Sequence, residues 1–137
     1  MSFELKAHTA DVAVEATGRT LSEAFEAAAD GLSAAHCESI PGSGDRFRMT
    51  IAAESREALL FDYLDELIYQ RDVRNVLPTD HRVSIDDGDG EAFSLEASAR
   101  GVPIEAIDAR EIKAVTYSEM ALERTPTGWR AYVVFDV

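Results

Sequence analysis

Two acids and a lysine stand out among the residues whose types and spacing could carry chemistry. Trp129, Val133 and Phe135 alternate along a last strand, which directs the side chain of Asp136 to the opposite face. Val137 follows, and its terminal carboxylate is expected beside the Asp136 side chain. Asp11 closes a short corner, His8-Thr9-Ala10-Asp11, between two alternating runs. If that corner abuts the end of the last strand, three carboxylates converge. Like charges so close require solvation, a proton or a cation. Hard oxygen donors of this kind suit Ca2+ or Mg2+. Spacing alone does not bring the two ends together.

Lys113 is one of only two lysines, with Lys6; the remaining bases are arginines. It lies between apolar Ile112 and Ala114-Val115. A compact ammonium can do what a planar guanidinium cannot, so a specific task is one reading and a solvent-facing strand position is the other. Cys37 follows His36, but neighbours on a helix point about 100° apart and are poorly placed to share a proton. A small surface-proximal thiol is the simpler expectation. The acids of Asp86-Asp87-Gly88-Asp89-Gly90 lack the spacing and bidentate glutamate of an EF-hand and read as a solvated hairpin turn. Asp62, Asp65 and Glu66 read as the wet side of a helix. No GxxxxGK[ST], GxGxxG, GxSxG or HExxH motif is present.

The elements that must position these residues follow from periodicity. Phe3, Leu5 and Ala7 alternate, as do Val12, Val14 and Ala16, giving two short strands. Thr20-Leu21-Ser22-Glu23 is a capping box for a helix over about 20–35 carrying Leu21, Ala24, Phe25, Ala28 and Leu32 at helical spacing. Phe47, Met49, Ile51 and Ala53 form a strand, and Ser55 caps a second helix over 56–73 with the stripe Leu60, Tyr63, Leu64, Leu67 and Ile68. Val83 and Ile85, then Phe93 to Ala99, then Ile112 to Leu122, then Trp129 to Phe135 read as strands, the last two joined at Thr125-Pro126-Thr127-Gly128. The expectation is one α+β domain over 1–137, with two helices packed on mainly antiparallel sheet. Phe25, Leu32, Leu60, Leu64, Leu67, Val115, Val133 and Phe135 are expected in its core.

Composition narrows the function. The 137 residues carry 26 acids against 13 bases, a net charge of −13. Such an acidic, lysine-poor balance suits a protein dissolved in molar salt, where self-repulsion is screened. It disfavours direct RNA binding, which needs clustered Lys or Arg; the close pairs Arg46/Arg48 and Arg71/Arg74 have acids nearby. No apolar run is long enough to span a bilayer, the first residues lack a secretory pattern, and the single cysteine cannot pair within the chain. A cytoplasmic location is expected.

Several segments together resemble the archease family. They are HTADV at 8–12, LSEAFEAAADGL at 21–32, LLFDYLDELIYQRD at 59–72, ARG at 99–101, EIKAVTY at 111–117 and GWRAYVVFDV at 128–137. Each is short, but in this order they cover almost the whole chain. The resemblance implies an accessory protein, not an enzyme, that acts beside an RtcB-type RNA ligase in tRNA splicing and repair. That ligase joins RNA 2′,3′-cyclic phosphate or 3′-phosphate ends to 5′-hydroxyl ends, consumes GTP and forms a guanylylated histidine. An archease promotes the guanylylation and so permits repeated turnover. By resemblance, Asp11, Asp136 and Val137 hold a divalent cation, Ca2+ or Mg2+, and Lys113 is the lysine of the KAVTY motif. GTP is then the ligase's substrate, and tRNA is met only through the ligase. Ser118 departs from the family, which often has His there, and 102–110 lacks the usual charged run. Two other functions compete: a chaperone-like modulator of a tRNA cytosine methyltransferase, and a metal-dependent phosphohydrolase, against which the lack of a general base or phosphate cradle argues.

Overall fold

A computed structural model describes residues 2–7, 11–86 and 92–137. The elements run β1 (Ser2–Ala7), β2 (Asp11–Gly18), α1 (Leu21–His36), β3 (Asp45–Ala53), α2 (Arg56–Arg74), β4 (Val76–Asp86), β5 (Phe93–Pro103), a short 3-10 turn (Ile104–Ala106), β6 (Ala114–Thr125) and β7 (Gly128–Asp136). The α+β expectation holds, and both helices start where their caps place them. The Glu23 amide donates to Thr20 Oγ1 at 3.1 Å and the Ala58 amide to Ser55 Oγ at 3.1 Å, each satisfying an amide that the first helical turn leaves free.

The strands form two antiparallel sheets rather than one, in the orders β1-β2-β7-β6 and β3-β5-β4. β4 begins at Val76, earlier than alternation alone suggests, and carries Pro78 opposite Gly101. A proline cannot donate to a ladder, but β4 is an edge strand with one side free of strand partners. That free side is covered by α1: the Val83 amide donates to Glu26 Oε2 at 2.8 Å and the Ile85 amide to Ser22 Oγ at 3.2 Å.

One continuous core joins both sheets to both helices, and every residue expected in it is buried. α1 is buried on nearly all sides, because it packs against β1, β2 and β7 of one sheet and β4 of the other. Its small residues permit this close approach. A Cβ placed on Gly31 would stand 2.5 Å from Val14 Cγ1. α2 packs on β6 and the second sheet, its buried stripe running from Leu59 to Arg71. No helix among the described residues is long and apolar enough to cross a membrane.

Candidate functional site

Burial fixes the register that builds the site. In β2, Val12, Val14 and Ala16 face the core; in β7, Ala131, Val133 and Phe135 do the same. Antiparallel pairing aligns the two sets, Val12 with Phe135, Val14 with Val133 and Ala16 with Ala131. A slip of one residue would turn one strand's set outward while the other still faced the core, so this register is strongly preferred. At the far end, a Cβ on Gly128 would lie 2.1 Å from the Gly18 carbonyl oxygen, so only glycine lets the β6–β7 turn close onto β2. The same register places Asp11 directly opposite Asp136. Being partners, they project from the same outer face, with Cβ atoms about 4.5–5.5 Å apart by strand geometry. Asp11 is half-buried and Asp136 exposed.

Asp136 has a second neighbour. Ala114 of β6 pairs with it on the other side, and the Lys113 amide donates to the Asp136 carbonyl at 2.8 Å. The exposed Lys113 and Val137 thus flank Asp136 in pairing and in sequence. Four residues singled out in the sequence therefore meet at one end of the first sheet. Among the described residues, no group of three or more His, Cys, Asp or Glu side chains stands ready for a metal. What this corner offers is two carboxylates and the main-chain carbonyl of Val137.

The approach to β6 is held from beneath. Ile112 is fully buried, and its carbonyl accepts from Arg71 Nη1 at 2.7 Å. The same nitrogen donates to His36 Nε2 at 2.8 Å, while His36 Nδ1 donates to the Leu32 carbonyl at 2.9 Å. With a cation on one nitrogen and a carbonyl on the other, the ring is neutral. Burial chiefly, helped by Arg71 and Arg110, pushes its pKa from 6.5 down to about 4. This arrangement was not read in the sequence. Its signal was present, however: Arg71 continues the apolar stripe of α2 at its C-terminal end, where a buried charged residue needs a partner.

That network also corrects the reading of Cys37. The thiol is buried, not near the surface, and Sγ donates to the Ser39 carbonyl at 3.2 Å. His36 has both ring nitrogens engaged elsewhere, so the two residues do not form a nucleophile pair. Asp62 and Asp65 are exposed and Glu66 accepts from Gln70 at 2.6 Å, as expected of a wet helix face. Ser118 is exposed and its amide donates to Thr116 Oγ1. His8, Thr9 and Ala10 of the corner, and the turn residues Asp87 to Gly90, lie outside the described residues.

A second polar cluster lies between α1 and β4. Burial raises the Asp30 carboxyl to about 6, opposed by the His81 amide and assisted by Glu26 and Asp80. His81 is buried and lowered to about 3, chiefly by burial; its ring bonds Ser33 Oγ at 2.7 Å through Nε2 and finds no partner at Nδ1.

Comparison with known proteins covers the whole chain. Residues 3–137 match the family described as "Archease protein family (MTH1598/TM1083)". The chain is similar to the protein archease of Methanosarcina acetivorans, 37% identical over 140 residues, covering 98% of this chain and 95% of that one. It is similar also to the protein archease of Pyrococcus furiosus, 35% identical over 136 residues, with 95% and 94% covered. Among solved structures, Methanobacterium thermoautotrophicum protein 1598 superposes with a TM-score of 0.87 at 32% identity, over 99% of each chain. A Thermotoga maritima archease, described as a possible chaperone, shares the fold with a TM-score of 0.65 at 22% identity, over 98% of this chain and 96% of that one.

Proposed function

From the premise that the chain belongs to the archease family, we propose that it is a non-catalytic accessory protein that activates an RtcB-type RNA ligase. In this reading it promotes guanylylation of the ligase by GTP and so sustains multiple turnover. The observation that carries it is the pairing of Asp11 with Asp136 at a sheet end that also holds Lys113. Like charges directly opposed across two strands are destabilising, and here the register is imposed by the core on the other face. Carboxylates tolerated in such a position point to a use for them.

The donor set fits a hard divalent cation. Two carboxylates on facing strands can supply oxygens about 5 Å apart, which suits ligand distances of about 2.3–2.6 Å to Ca2+. Asp11 and Asp136 would hold the ion, with an oxygen of Val137 completing the protein's share. A bound Ca2+ or Mg2+ supplies positive charge that can draw phosphate or carboxylate oxygens of the partner to this corner. Around it, the chain's own groups have plain tasks. The Lys113 amide fixes the Asp136 main chain, and the exposed Lys113 side chain supplies a compact cation at the same sheet end. The acidic balance of the chain supports a partner, rather than this protein, as the holder of RNA.

Joining RNA ends with the ligase limiting tests the reading. The chain is expected to raise the number of products per ligase well above one. A ligase that turns over equally with and without it would overturn the proposal.

A further inference from the structure

The β6 strand departs from regular pairing just beyond Lys113. Thr116 pairs with Val134 and Ala121 with Tyr132, so β6 carries three more residues than β7 over this stretch. Glu119 takes a left-handed φ of 58° within it, a conformation that side chains rarely adopt. Bulges of this kind re-aim side chains. Here the result is Tyr117, lying flat on Phe61 of α2 with centroids 4.0 Å apart and planes 2° from parallel. Phe61 is partly buried, but Tyr117 remains 57% exposed. One face of the tyrosine is therefore supported by the protein, and the other is turned to solvent.

Three features say what suits that open face. First, this chain repeatedly stacks its own guanidinium groups on rings: Arg74 on Phe47, Arg56 on Phe93, Arg124 on Trp129 and Arg130 on Tyr132. Among the described residues, no such contact is found on Tyr117. Second, Asp65 is exposed one helical turn beyond Phe61, on the same flank of α2, so a carboxylate stands beside the aromatic pair. Third, Tyr117 is four residues from Lys113, about 13 Å at most along an extended chain. β6 is the edge strand of its sheet, so a partner seated on that edge at Lys113 can extend along it to the aromatic pair.

We propose that the Phe61–Tyr117 pair is a docking plate for an arginine-bearing basic segment of the partner ligase, adjoining the Asp11–Asp136 corner. This rests on the reading of the chain as a ligase activator. A guanidinium laid on Tyr117 gains the attraction of the ring face and can pair with Asp65 at its edge. An enzyme that handles RNA must present basic surface, and this chain, at −13, is its electrostatic complement. The two contacts then divide the work: the plate supplies affinity, and the carboxylate corner acts on the ligase.

The test measures dissociation constants for the purified cognate RNA ligase with the parent chain, Tyr117→Ala, Tyr117→Phe and Asp65→Lys, each first checked by thermal melting. Tyr117 is largely exposed, so its variants are expected to fold. Tyr117→Ala should weaken binding by roughly tenfold or more. Tyr117→Phe should bind nearly as the parent does, and Asp65→Lys should slow association. At saturating concentration, Tyr117→Ala should still activate the ligase. Parent-like affinity in Tyr117→Ala would overturn the docking plate while leaving the activator reading intact. A parent chain that neither binds nor activates the ligase would overturn both. A change in the chain's own oligomeric mass in Tyr117→Ala, with ligase affinity unaltered, would make the plate a self-interface and also overturn the proposal.

Discussion

The amide of Lys113 donates to the carbonyl of Asp136 at 2.8 Å, tying the lead-in of β6 to the last residue of β7. The bond is main chain to main chain. It survives any substitution of the lysine side chain except proline, which separates the lysine's charge from its structural place.

Lys113→Ala should therefore leave the melting temperature within about a degree, since exposed substitutions away from special features change little. Ligase activation should fall several-fold. Lys113→Arg should restore it only in part, because a planar guanidinium does not replace a compact ammonium. Activity assays beside thermal melts check this. Full activity in both variants would return Lys113 to a solvent-facing role.

Much of this corner was legible in the sequence, for reasons that differ by residue. Helical spacing and two caps located both helices, because those signals are local. Alternation located the strands, but in β4 it showed only at Val83 and Ile85; the earlier part carries Pro78, which the edge position of β4 tolerates. The division into two sheets was not legible, since pairing is decided by contacts between distant segments. The same holds for Asp11 and Asp136: alternation gave their direction, but only the β2–β7 register brings them together. Cys37 was misjudged because its burial depends on packing that helix periodicity near a terminus does not reveal. The Arg71–His36 contact was missed because Arg71 was weighed only with Arg74, as a basic pair with acids nearby, and not for its place in an apolar stripe.

Salt should stabilise the fold. At −13, self-repulsion opposes compaction, and it falls as the screening length shrinks from about 10 Å at 0.1 M to about 3 Å at 1 M. Thermal melts from dilute buffer to molar KCl should show a rising melting temperature. A flat or falling series would contradict this.

Acid should destabilise the protein before its carboxylates are fully protonated. His36 is held neutral, its pKa lowered from 6.5 to about 4 by burial chiefly and by Arg71 and Arg110. In the unfolded chain it takes up a proton below pH 6.5, and in the fold it resists doing so until about pH 4. The stability it confers is thus complete above pH 6.5 and lost as pH falls toward 4, by a total on the order of 3 kcal/mol. Asp30 acts in the opposite sense. Its carboxyl is raised from 3.8 to about 6, so its ionisation costs stability fully above pH 6 and progressively less down to pH 4. Denaturant titrations across this range should show Asp30→Asn gaining stability at pH 8 and little at pH 4. His36→Gln should make the acid limb shallower, the remainder coming from His81, which is lowered to about 3. Unchanged pH profiles in both variants would contradict the assignment.

Metal binding should depend on the opposed acids and the fold should not. Asp11→Asn and Asp136→Asn each remove one charge from a like pair, so the metal-free protein should be as stable as the parent or more so, by up to about 1 kcal/mol. Calorimetric titration with Ca2+ or Mg2+ should show affinity reduced at least about tenfold in either variant. Equal affinity in all three proteins would place any ion elsewhere.

The central claim is tested most directly by the rate at which the partner ligase is guanylylated by GTP. It should be measured in KCl-rich buffer with a divalent cation, alone and with the parent chain, Asp11→Ala or Asp136→Ala. The parent should accelerate guanylylation strongly, and the two variants, though folded, should leave it near the rate of the ligase alone. A parent chain without effect, or an Asp136→Ala chain as effective as the parent, would contradict the account.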